Sequence, residues 1–374
     1  MKIVFTGGGT GGHILPIIAI ARELRRSYQG KDLKLFYIGP RDAFGDILLS
    51  QEEMKAFVIQ AGKLRRYLDG GTVFQNVIDL VFRVPLGIFQ AFRILFFLSP
   101  DLIFSKGGYG AIPATIAGWF LRIPIFLHES DAIPGLANRI SGKFALEIFT
   151  SFPSVPYFSS KKIIFVGNPI RRELLTGSKQ EATQLFQLTN EKPILLILGG
   201  SQGAQRINDV MLAVLNEALG YFEIIHQTGE QNFQQVRAEA NVVIKEEYKK
   251  CYHPIPFLNE AELRHVYAAS DIIVSRAGSG SIFEIAALGK PSILIPLGES
   301  AQNHQLKNAY AYAGIKAAIV LEQANLTPHF FLERLRSIAF SPEISEQMSS
   351  AALKFAKPQA ARIIAQYILE YLIK

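Results

Sequence analysis

The stretch Lys2-Ile3-Val4-Phe5-Thr6-Gly7-Gly8-Gly9-Thr10-Gly11-Gly12-His13 decides the fold of this chain. A short apolar run passes through glycines straight into a helical pattern. Such a turn gathers bare backbone N–H groups and the positive end of a helix at one spot, which suits a phosphate. A plain phosphate loop has no need of an imidazole, so His13 at the helix mouth points to a site that also moves a proton near neutral pH. The pattern restarts later, where Ile194-Leu195-Leu196-Ile197-Leu198 runs into Gly199-Gly200-Ser201-Gln202-Gly203-Ala204 and another helical stretch. Strands are expected near 2–5, 33–38, 101–105, 124–128, 147–150 and 163–166, and after Pro169 near 193–198, 223–226, 271–275, 292–296 and 317–321. Helical patterns fill the gaps. This alternation is that of a doubly wound parallel α/β sheet, here present twice, as two Rossmann-like domains.

Composition bounds the function. At 374 residues the chain exceeds what one core organises. The single Cys251 excludes an intramolecular disulfide and suits a reducing compartment, and the start reaches glycine too soon for a signal peptide, so a cytoplasmic place is expected. No run offers about eighteen uninterrupted apolar residues, so no spanning helix is expected. The net charge of +7 and a pI near 9.3 ask for an acidic partner: nucleic acid, anionic lipid or a phosphorylated ligand. The apolar, aromatic-rich segment 72–98 is interrupted by Arg83 and Arg93 and preceded by Arg65 and Arg66. Two readings stand: a surface that dips into lipid headgroups, each basic side chain adding about 1 kcal/mol near anionic lipid, or a core helix pair kinked at Pro85.

Polar and glycine-rich clusters fall at the carboxyl ends of the expected strands, the edge where open α/β sheets bind ligands. They are Lys106-Gly107-Gly108-Tyr109-Gly110, His128-Glu129-Ser130-Asp131, Gly167-Asn168-Pro169-Ile170-Arg171 and Arg276-Ala277-Gly278-Ser279-Gly280-Ser281. Two sheets would thus present their ligand edges across one central cleft. Gly7-x-Gly9-x-x-Gly12 formally satisfies a dinucleotide fingerprint, but the second strand ends in Gly39-Pro40-Arg41 where a ribose-binding acid should stand. Neither glycine cluster continues into the Gly-Lys-Ser or Gly-Lys-Thr of a P-loop, and no Cys or His cluster has metal-ligand spacing, Glu129-x-Asp131 being the nearest acidic pair. The serines and glycines at 278–281 open a helix whose N–H groups suit a diphosphate, with Glu284 one turn in and able to accept from two ribose hydroxyls.

Taken in order, Gly8 to His13, residues 62–67, Gly107-Gly108-Tyr109, His128-Glu129 with Pro134-Gly135-Leu136-Ala137-Asn138, residues 167–171, residues 199–204 and residues 275–296 make a specific set. Over essentially its full length the chain resembles the MurG family, the N-acetylglucosaminyltransferases acting on undecaprenyl-diphospho-muramoylpentapeptide in peptidoglycan synthesis. The resemblance implies the GT-B architecture. An acceptor and membrane-docking domain would span 1–168, a UDP-sugar domain 169–357, and a last helix within 358–374 would cross back onto the first.

It also implies inverting transfer of N-acetylglucosamine from UDP-N-acetylglucosamine to the muramyl 4-hydroxyl of lipid I, giving lipid II, with neither cofactor nor metal. Carried over residue by residue, it assigns Arg171, Ser201, Ser279, Gly280, Ser281, Ile282, Phe283, Glu284 and Gln305 to the donor, Glu284 on the ribose and Leu258 at the uracil. Thr10, Gly11, Gly12 and Asp131 would approach the sugar and diphosphate. Arg65, Arg66, Arg83, Arg93, Tyr109 and Asn138 would serve the acceptor and membrane side. His13 is the expected base and Glu129 its competitor. Where the family commonly has Gln-Asn after His-Glu, this chain has Ser130-Asp131, turning an amide into an acceptor-only carboxylate. The implied partners are the two substrates and an anionic membrane surface at the cytoplasmic face, with no nucleic acid, and the resemblance leaves room for other cell-wall synthesis proteins. Two rivals remain: a UDP-N-acetylglucosamine epimerase of the same twofold build, and a non-catalytic sugar-nucleotide-binding subunit.

Overall fold

The computed structural model describes residues 1–8, 11–63, 70–200, 203–298 and 303–373. These form two compact units, Met1–Arg171 with Pro358–Lys374, and Arg172–Lys357. The division lies three residues past the expected boundary at residue 168, and Asn168, Ile170 and Arg171 are buried.

The first unit carries a seven-stranded parallel sheet. Its strands are β1 (Lys2–Thr6), β2 (Lys34–Gly39), β3 (Lys55–Val58), β4 (Leu102–Ser105), β5 (Ile125–Glu129), β6 (Glu147–Thr150) and β7 (Ile163–Phe165), in the order β3-β2-β1-β4-β5-β6-β7. The second unit repeats the plan with β8 (Ile194–Leu198), β9 (Glu223–Gln227), β10 (Tyr252–Ile255), β11 (Ile272–Ser275), β12 (Ser292–Leu294) and β13 (Ile319–Val320), in the order β10-β9-β8-β11-β12-β13. Strands covered by helices on both faces read as unbroken apolar runs, and β8 is buried at every position.

β3 and β10 escaped the sequence reading, and both lie at sheet edges. β3 is largely exposed. Pro254 cannot donate to a ladder, so a proline inside the run demotes it unless it lies at an edge. In each sheet the order reverses between the first and fourth strands, and their carboxyl ends lie side by side: Thr6 pairs with Ser105, and Leu198 with Ser275. Those two switch points are where the glycine turns fall.

The helix Ala360–Ile373 buries Ala361, Ile364, Ala365, Ile368 and Leu369, spaced i, i+3, i+4, i+7, i+8. They join the cluster that holds the helix Gly11–Ser27, Phe126 and Phe149, with Tyr367 edge-on to both phenylalanines. The segment 72–98 is not a core pair. It runs through the helix Gly70–Ile78, a π-helical turn Asp79–Arg83 and the helix Val84–Leu98. Proline removes a donor and crowds the preceding turn, and a π-turn is one way a helix absorbs this. Gly87, Ala91 and Leu95 alone of Val84–Leu98 are buried. Ala91 and Leu95 enter the core beside Ile103 and Ile125. Phe82, Phe89 and Phe97 are 66%, 67% and 76% exposed. By length and composition the run from Gly71 to Leu98 is apolar enough to cross a membrane, with a mean hydropathy of 1.7 over its most apolar window.

Candidate active site

In the first unit the site is built at the β1/β4 switch point. His13 lies in the first turn of the helix Gly11–Ser27, half-buried, against two glycine turns. A Cβ added at Gly8 would come within 3.0 Å of its ring, and one at Gly108 within 2.9 Å of Nε2. Gly107 and Gly108 have φ of +85° and +81°, a backbone that side chains resist, and a Cβ at Gly107 would fall 1.9 Å from Asn138 Oδ1. Asn138, expected on the acceptor side, is buried and bridges two parts of the site. Its Oδ1 accepts from Gly108 N–H at 3.3 Å and its Nδ2 donates to Glu129 Oε2 at 2.8 Å.

Glu129 ends β5, is 2% exposed, and also accepts from the Asp131 N–H at 2.9 Å. Burial, then the charge of Asp131, pushes its carboxyl above the usual carboxylate range. His128 turns inward, Nε2 on Gly167 O at 3.0 Å, and burial drives it well below the ordinary imidazole range. Glu129, Asp131 and Asn138 are therefore one cluster, which meets His13 through the Gly107-Gly108 turn. Tyr109 follows in a short 3-10 turn, Tyr109–Ala111. Gly11 and Gly12 open the helix, the first partly exposed and the second exposed. Arg171 is buried at the end of this unit. Arg83 is half-exposed and paired with Asp79 at 2.9 Å, and Arg93 is exposed. Thr10, Arg65 and Arg66 lie outside the described residues.

The second unit repeats the arrangement at the β8/β11 switch point. Gly200, φ +84°, follows β8, and Gln227 at the end of β9 ties it to the segment that carries Leu258. Gln227 Nε2 donates to Gly200 O at 3.1 Å, while its Oε1 accepts from Leu258 N–H at 3.1 Å. Ser201 lies outside the described residues. Beyond β11, Gly278 caps the helix Ser279–Ala287. A Cβ at Gly278 or Gly280 would meet nothing within 4 Å, and neither needs positive φ. Packing therefore does not ask for glycine at these two positions, whereas close approach of a ligand to a helix N-terminus does.

Ser279 is buried and Ser281 partly exposed. Ile282 and Phe283 point into the core, Phe283 against Phe355, so what they offer a ligand is backbone. Glu284 accepts from Tyr267 OH at 2.9 Å, which orients its carboxylate. Gln305, at the start of the helix His304–Ala313, accepts from Leu297 N–H at 2.9 Å. Arg276 is structural, donating to Ile295 O at 3.2 Å and Gln323 Oε1 at 2.9 Å. Gln227 and Tyr267 were missed by sequence reasoning, and Lys106 was placed at a ligand edge without a role, since each acts through a neighbour that only the folded sheet supplies.

The N-terminal sheet and the C-terminal sheet correspond to matched family domains: residues 3–150 match the Glycosyltransferase family 28 N-terminal domain and residues 194–366 its C-terminal domain. The class is thus a two-domain glycosyltransferase of family 28. The chain is 36% identical over 369 residues to the UDP-N-acetylglucosamine–N-acetylmuramyl-(pentapeptide) pyrophosphoryl-undecaprenol N-acetylglucosamine transferase of Clostridium kluyveri, covering 98% of this chain and 99% of that one. To the protein of the same name from Treponema denticola it is 35% identical over 389 residues, covering 99% and 97%. It belongs to that transferase family, the MurG family. Among solved structures, MurG of Acinetobacter baumannii superposes with a TM-score of 0.73 at 22% identity over 99% of both chains. A UDP-GlcNAc 2-epimerase from Neisseria meningitidis gives 0.66 at 16% over 99% and 100%. Both likenesses concern the fold.

Proposed function

We propose that this protein transfers N-acetylglucosamine from UDP-N-acetylglucosamine to the 4-hydroxyl of the muramyl sugar on undecaprenyl-diphosphate-linked muramoyl-pentapeptide, with inversion. The carrying observation is identity above 30% across nearly the whole length of relatives bearing that activity in their names. The second unit takes the nucleotide sugar. Glu284, held by Tyr267, accepts from the ribose, Leu258 meets the uracil, and the N–H groups after Gly278 meet the diphosphate. The first unit takes the acceptor. His13, half-buried at a helix mouth, receives the hydroxyl proton as the new bond forms at the anomeric carbon and UDP departs. Glu129, already accepting from Asn138 and Asp131, fixes the turns on which His13 rests.

The acceptor is a lipid, and the exposed phenylalanines of Val84–Leu98 with Arg83 and Arg93 suit the headgroup region of an anionic membrane. The helix lies along the surface rather than across it, because Ala91 and Leu95 are built into the protein core and lipid cannot surround them. The enzyme would then work as a peripheral protein at the cytoplasmic face.

The test incubates the protein with UDP-N-acetylglucosamine, with and without a short-chain lipid I analogue, and follows UDP release and sugar identity. UDP release that depends on the acceptor is expected. Epimerised sugar without acceptor would favour the activity named for structures of the same fold, and binding without turnover a non-catalytic role. His13→Ala should lower kcat by about 10²- to 10⁴-fold; near-normal turnover there, with Glu129→Gln inactive, transfers the base role to Glu129.

A further inference from the structure

Lys106 follows β4 directly, its N–H still pairing with Thr6 O at 2.8 Å across the switch point, and its side chain is 1% exposed. An ammonium so deep is costly unless charge and hydrogen bonds surround it. Its Nζ donates to Ser130 Oγ, which in turn donates to Asn168 Oδ1 at 3.3 Å. Ser130 stands between Glu129 and Asp131 in the chain, and the charges of both oppose the effect of burial on Lys106. The ionisable groups around Glu129 are Lys106 beyond β4, His128 beside it on β5 and Asp131 in the following turn; Asn138 is neutral. Asp131 disfavours a charge on Glu129 and Lys106 favours it.

We propose that Lys106 is a positioning residue of the acceptor half-site: a buried ammonium that offsets Glu129 and Asp131 together and so lets a second carboxylate stand two residues from the first. Its effect passes along named contacts. An ionised Glu129 accepts from both Asn138 Nδ2 and the Asp131 N–H, Asn138 holds the Gly108 N–H, and Gly108 abuts His13. What this balance serves rests on the transferase reading, but the balance itself is a property of the free protein.

The experiment is carboxyl-carbon NMR titration of the full-length protein with ¹³C-labelled glutamate, the Glu129 signal being assigned by its loss in Glu129→Gln. In Lys106→Met the Glu129 midpoint moves up by about one to three pH units, the range for losing a close opposite charge. In Asp131→Asn it moves down, and in the double variant it lies below that of Lys106→Met. Acceptor kcat/KM falls in Lys106→Met and recovers in part in the double variant. An unmoved midpoint in Lys106→Met overturns the proposal. Should that variant not fold, Asp131→Asn compared with Lys106→Met/Asp131→Asn reads the same ammonium, and equal midpoints overturn it. Shifts as expected in a parent protein without acceptor-dependent UDP release would leave the charge balance standing and remove the transferase reading.

Discussion

Two glycines separate what folding needs from what binding needs. Gly107 has positive φ and Asn138 fills the space its Cβ would take, so Gly107→Ala should cost about 1–3 kcal/mol of stability and loosen the Glu129 cluster. Gly280 has open space and lies in a helix, so Gly280→Ala should leave stability unchanged or raise it by up to about 1 kcal/mol. Its cost should appear as weaker UDP-N-acetylglucosamine binding. Chemical denaturation and calorimetric titration of both variants check this: a Gly280→Ala protein that binds the donor normally would remove the diphosphate from that helix mouth. The glycine turns at both switch points were legible at the level of residue type, because Gly-Gly-His and Gly-Ser-Gly-Ser follow apolar runs closely. The burial of Lys106 was not. Its place at the carboxyl end of a strand was plain, but its burial follows only from β1, β4 and β5 bringing Thr6, Ser130 and Glu129 around it.

At the scale of elements, the strands buried on both faces were plain as apolar runs, while β3 and β10, exposed or broken by Pro254, gave no such pattern. The segment 72–98 left two readings open, since composition cannot tell a core pair from a surface helix. Burial of every fourth residue, Gly87, Ala91 and Leu95, and exposure of the phenylalanines decides for the surface. Charge reversal at Arg83 and Arg93 should therefore weaken binding to anionic vesicles by about 1 kcal/mol or more for each residue, with little effect on neutral vesicles. Co-sedimentation measures it, and unchanged partitioning would sink the docking role. Arg83→Glu also places a second acid beside buried Asp79, so Arg93→Glu is the cleaner variant.

For the whole molecule, the shared strand order of the two sheets, reversing once in each, was announced by the repeated run into glycine at 2–8 and 194–200. The helix Ala360–Ile373 belongs to the unit at the other end of the chain, and its buried face covers the sheet side that carries Phe126 and Phe149. Removing residues 358–374 should destabilise the first unit and leave Arg172–Lys357 folded. Limited proteolysis of the shortened protein should cut first within 1–171, and preferential cutting within 172–357 would contradict the assignment.

The same interleaving bears on how the chain is made. The second unit is one unbroken segment, complete as soon as Lys357 has emerged from the ribosome, whereas the first, though begun earlier, lacks a wall until the helix Ala360–Ile373 has emerged as well. Domains usually finish in the order of synthesis; here the unit begun earlier closes after the other, and until the helix Ala360–Ile373 docks, its apolar sheet face is a natural client for a chaperone.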